Sequence, residues 1–133
     1  AEIVANSRNA DIVSLVEHLI GALGVNLRFH LTELLIDAAY QYPENINLFG
    51  KFPIGPGAEP TMRRLNPNID PEDLIVLLSK YRVPRFPFLE FKGQKVNLSA
   101  ENREGIACEF RKYSNLKLGM GRRRIYRNSH DLK

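Results

Sequence analysis

Cysteine is nearly missing from this 133-residue chain: Cys108 is the only one. No internal disulfide can form, and a reducing, intracellular setting (cytoplasmic or nuclear) is the expectation. Long apolar runs are missing too. None approaches the ~20 residues that a membrane-spanning helix needs, so a membrane is not an expected partner. The start shows no secretory pattern, and the first residue is Ala1 rather than Met, which leaves processing or a longer parent chain open. There is no G-x-S-x-G and no H-E-x-x-H, the short signatures of a serine nucleophile and a zinc protease. His18, His30 and His130 are far apart and near no cysteine pair, so neither a metal nor another cofactor is indicated. Internal repeats and coiled-coil heptads are also wanting.

Acidic residues are missing from one place in particular. Residues 1–110 carry 11 Lys/Arg against 14 Asp/Glu, a net of −3, whereas residues 111–133 carry 8 Lys/Arg against one Asp, a net of +7. Together these make the +4 of the whole chain. A nearly neutral body followed by a basic arm is the pattern.

What is present reads as one domain. The hydrophobic fraction of 44% and charged fraction of 26% are ordinary for a globular chain, and this length buries roughly two thirds of the unfolded surface. Ile12, Leu15, Val16, Leu19, Ile20 and Leu23 recur at spacings of three and four, which predicts an amphipathic helix. Ser7 or Asn9 can cap it, and Gly24 stops it. A second helix is expected from about Arg28 to Gln41, with Leu31, Leu34, Leu35, Ala38, Ala39 and Tyr42 as its apolar stripe and Pro43 beyond its end. The short link between them suggests a helical hairpin.

Residues 43–69 are broken by five prolines and three glycines. Ile46, Leu48, Phe49, Phe52, Ile54 and Met62 are interspersed, so this is an ordered loop across the core, with a short helical turn near Thr61 to Leu65. Its G-P-G, residues 55–57, has no strand before it and no G-K-[ST] after it, so it is a turn rather than a phosphate loop. Asp70, Pro71, Glu72 and Asp73 open a third helix, with Leu74, Leu77, Leu78 and Tyr81 as its buried stripe. Residues 85–98 form a hairpin by their spacing of two, turning at Gly93-Gln94, with Pro87 marking an edge strand. Ser99 caps a fourth helix reaching about Tyr113, with Ile106, Phe110 and Tyr113 on one face, although Gly105 weakens it. The expected fold is α+β and mainly helical: about four amphipathic helices, one small hairpin and a basic C-terminal arm. Residues 1–115 make the body and 116–133 the arm.

Arg111 to Arg127 carry seven Lys/Arg and no acid. Such a run suits nucleic-acid phosphates, whose neutralisation releases counterions, and arginine binds phosphate bidentately. In this reading Arg122, Arg123, Arg124 and Arg127 make phosphate or minor-groove contacts, Tyr126 stacks or packs on sugars, and Arg111, Lys112 and Lys117 extend the track. Arg63 and Arg64, with Lys80, Arg82, Arg85, Lys92 and Lys95, form a second basic group. It continues the footprint if it shares a face with the arm. A helical body with a two-stranded wing is a familiar DNA-binding plan, here an analogy of architecture only. Non-catalytic binding of duplex DNA, rather than RNA, is the favoured function, because no RNA-binding sheet motif is visible. A homodimer fits a small DNA binder with symmetric sites.

Two other readings compete. A protein-interaction module would dock a partner through the Pro/Gly loop and exposed apolar side chains, with the tail steering. Glu90-Phe91-Lys92 has the E-x-K form found in the strand of PD-(D/E)xK nucleases, with Asp70 as an upstream acid. That chemistry needs two carboxylates on Mg²⁺ and a lysine at the attacking water. Asp70 reads better as a helix cap, however, and the strands are too few for such a sheet. Cys108 is expected as a small apolar group rather than a nucleophile, and Phe49, Phe52, Phe86, Phe88 and Phe91 as core and core-lid residues.

Overall fold

The computed structural model describes residues 9–80 and 90–120. Among these, five helices and two small two-stranded sheets follow one another. β1 is Ala10–Asp11, α1 Ile12–Leu23, α2 Arg28–Gln41 and β2 Ile46–Asn47. Then come α3 Glu59–Leu65, α4 Pro71–Lys80, β3 Glu90–Phe91, β4 Gln94–Lys95 and α5 Ala100–Lys117. The architecture is mainly helical, as expected.

Local chemistry explains most of the helix ends. Asp11 caps α1, its carboxylate accepting from the Ser14 N–H at 2.8 Å. The expected caps differ: Ser7 lies outside the described residues, and Asn9 stands two positions before the actual cap. Gly24 closes α1 in the left-handed region, φ 67°, a conformation that costs glycine little. Asp70 accepts from the Glu72 N–H at 2.9 Å, so Pro71 begins α4 where its missing N–H costs nothing. Ser99 and Asn102 form a reciprocal capping box at the start of α5. That helix runs through Gly105 and past Tyr113 to Lys117.

The core gathers Ile12, Leu15 and Val16 of α1, Leu31, Leu35 and Ala39 of α2, and Leu74 and Ile75 of α4. Ile46, Phe52 and Met62 of the Pro/Gly region are buried with them, and Leu48 and Ile54 pack against the cluster. That region therefore crosses the core as an ordered strap, and its short helix is α3. α1 packs along α2, while α3 and α4 both pack on α5.

Several expected core positions are outside. Leu23, Leu34, Tyr42 and Leu77 are exposed, each at the edge of its stripe or past its helix end. Phe49 is also exposed, while Phe52 is core. Tyr81, Phe86 and Phe88 lie outside the described residues.

Two strand features also depart from expectation. β1 and β2 pair in parallel, Ala10 opposite Ile46 and Asp11 opposite Asn47, which ties the start of α1 to the strap. In the hairpin, Glu90 faces Lys95 and Phe91 faces Gln94, so the turn is Lys92-Gly93, one residue earlier than expected. Both turn residues have positive φ, 50° and 75°, as a tight two-residue hairpin turn of the primed type demands.

Candidate functional site on the last helix

α5 is the element on which the candidate residues converge. One face of it is stitched to the strap at intervals of three and four. Gly55 donates its N–H to Glu104 Oε1 at 3.2 Å, and Thr61 donates its hydroxyl to the Ala107 carbonyl at 2.9 Å. One turn on, Arg111 donates to the Pro56 carbonyl at 2.6 Å. Between them Gly57 rests against Cys108, so closely that a Cβ there would stand 2.5 Å from the Sγ. The side chains facing inward are small, Ala100 and Ala107 being buried, which lets backbone approach backbone. At the other end the Ala100 N–H donates to the Leu48 carbonyl at 2.8 Å.

Burial sets the electrostatics of this seam. Glu104 sits half-buried, and loss of water raises its pKa; the Gly55 N–H works against that shift, and Glu33 adds to it. Arg103 is lowered by burial. Nearby, the Tyr40 hydroxyl donates to Glu101 at 2.9 Å, and that bond is the main cause of its raised pKa.

The proposed phosphate-binding residues fall into three groups. Arg122, Arg123, Arg124, Tyr126 and Arg127 lie outside the described residues. Arg111, Lys112 and Lys117 lie on α5, and they differ in availability. Arg111 is committed to the Pro56 carbonyl, Lys112 pairs with Glu109 one turn back, and Lys117 is exposed in the last turn. Arg63 and Arg64 lie on α3, packed next to α5. Arg63 pairs with Glu59 at 2.8 Å, and Arg64 is exposed. The two basic groups thus occupy neighbouring elements. Lys80 ends α4, Lys92 occupies the hairpin turn, and Arg82 and Arg85 lie outside the described residues.

The E-x-K arrangement is not a strand motif. β3 ends at Phe91, and Lys92 bends into the turn with positive φ, so Glu90 and Lys92 do not occupy alternate positions of one strand. Asp70 is engaged in starting α4. Among the described residues, no three His, Cys, Asp or Glu side chains are grouped as ion ligands, and no helix is long and apolar enough to cross a membrane.

Sequence reasoning grouped one face of α5 without giving its direction. Ile106, Phe110 and Tyr113 do share a face, together with Leu116, but that face is turned to solvent, with exposures of 54%, 51%, 62% and 44%. The signal for the buried face was the set of small side chains at Ala100, Ala107 and Cys108 on the opposite side. Compared with protein-family models, curated proteins and solved structures, the chain matches none.

Proposed function

We propose that this chain is a non-catalytic nucleic-acid-binding domain, in which a mainly helical body (1–115) presents a basic arm (116–133) to duplex DNA. The observation that carries the proposal is the charge course of α5. From residue 110 to its end the helix bears Arg111, Lys112 and Lys117 and no acid, and the chain continues into Arg122, Arg123, Arg124 and Arg127. Exposed Lys117 and, on the adjacent α3, exposed Arg64 extend this positive course to the body. The single Cys108 accords with an intracellular setting.

The test is fluorescence anisotropy on duplex DNA and RNA across a salt series. It compares the intact chain with one ending at Met120, which leaves α5 whole. An arm that neutralises about four phosphates gives a slope of log affinity against log salt of roughly −3.6, lost on truncation. Absence of binding at low salt, or binding that survives truncation with its slope unchanged, ends this reading. Stronger binding to RNA than to duplex DNA would correct the preferred nucleic acid.

A second reading, a protein-interaction module, is favoured by one observation: the apolar outward face of α5.

A further inference from the structure

We propose that the outward face of α5 is a homodimer interface, on which α5 of a second copy packs antiparallel. The proposal is independent of nucleic acid.

Ile106, Phe110, Tyr113 and Leu116 are separated by four, three and three residues, so they form one stripe along about three turns. It lies opposite the seam that Glu104, Ala107 and Arg111 make with the strap. With aromatic side chains carrying roughly 150–250 Å² each, half-exposed Phe110 and Tyr113 plus the two aliphatics offer on the order of 400 Å² of apolar surface. That is the scale at which an exposed patch marks an interaction site. Stems of flanking charged residues bring a two-copy contact to the ~1,000 Å² that a specific interface needs.

Charge decides the occupant and its direction. Glu104 and Arg111 face the strap; of the rest, residues 100–109 hold Glu101 and Glu109 against Arg103, a net of −1, while residues 110–117 hold Lys112 and Lys117, a net of +2. A helix with one acidic and one basic half is complementary to its own reverse. Antiparallel packing sets each acidic half on the partner's basic half and opposes the helix dipoles favourably. Parallel packing would instead align the two basic helix ends. With a two-fold axis near residues 110 and 111, Ile106 comes to Leu116 of the second copy and Phe110 packs beside its counterpart and Tyr113. Glu109 and Lys112 flank the stripe on one side and pair within the helix. The two-fold places each of them across from the opposite charge of the other copy.

Sedimentation velocity on the full chain, over a micromolar concentration series without nucleic acid, tests this. The intact chain is expected to shift from monomer to dimer. Ile106→Glu and Phe110→Glu should each keep the far-UV circular dichroism, because both side chains are exposed, and abolish the shift. Glu109→Lys and Lys112→Glu should each weaken self-association roughly tenfold by setting like charges opposite one another. Mixed in equal amounts, these two variants should regain the wild-type affinity, because every lysine then faces a glutamate. An intact chain that stays monomeric, a dimer that survives both glutamate variants, or a mixture no tighter than its components overturns the proposal.

Discussion

α1 and α5 use their apolar residues in opposite ways. α1 sends Ile12, Leu15 and Val16 into the core. α5 docks through Ala100, Ala107 and a set of hydrogen bonds, and leaves its large apolar side chains in water. The cause is the partner each helix meets. α1 lies on the broad side-chain surface of α2. α5 lies on α4 and, along the seam, on a proline- and glycine-rich strap whose backbone comes so near that Gly57 touches Cys108, and only small residues fit at such range. A large apolar side chain therefore marks the core on one helix and a contact surface on the other.

The sharpest way to break this comparison is truncation on both helices. Ile12→Ala removes a fully buried side chain and should cost about 2–5 kcal/mol in urea unfolding. Phe110→Ala, measured at a concentration low enough for monomer, should stay within about 0.5 kcal/mol. Equal losses would mean that α5 buries its stripe after all.

Two glycines sharpen the same contrast on a smaller scale. Gly57→Ala would press a methyl group on the Cys108 sulfur and should destabilise by about 1 kcal/mol, relieved when Cys108→Ala is added. Gly105→Ala meets nothing within 4 Å on the helix it would rigidify, and should stabilise by roughly 0.5–1 kcal/mol. A shift of the same sign at both positions would contradict the close seam.

The smallest expected effect lies in pH dependence. Burial raises Glu104 above its ordinary 4.5 in the folded chain, so the native state holds a proton that the unfolded state releases. The contribution of this group therefore favours folding below 4.5 and fades as pH rises through the raised folded value. Glu104→Gln, whose amide oxygen can still accept from Gly55, should flatten the stability–pH curve in that window. An unchanged curve would mean that Glu104 is hydrated in the native state.

The legible parts of the fold were those fixed within a few residues. Gly24, Asp70-Pro71 and Ser99 mark ends by satisfying nearby backbone groups, and each stands where those groups required it. The hidden parts depend on distant chain. Ala10–Asp11 and Ile46–Asn47 carry no strand pattern in two residues apiece, and their pairing follows from closure of the α1–α2 hairpin. Asp11 outcompetes Asn9 as cap because it lies next to the first helical turn. Periodicity found the stripe on α5 but not its direction, since that depends on what lies opposite. Of the candidate site, the charge asymmetry was legible from composition, whereas the engagement of Arg111 and Arg63 needed Pro56 and Glu59 in place.

The contact between Gly57 and Cys108 gives this molecule a chemical clock. The chain has one thiol, and the strap covers it from one side. Cys108 is half-buried, so the strap hinders an alkylating reagent on that side, and the labelling rate rises as the strap lifts from α5 more often. Once alkylated, the sulfur occupies the space the glycine needs and holds the seam ajar. A single mass measurement over time then reports the breathing of this one joint, with no engineered probe.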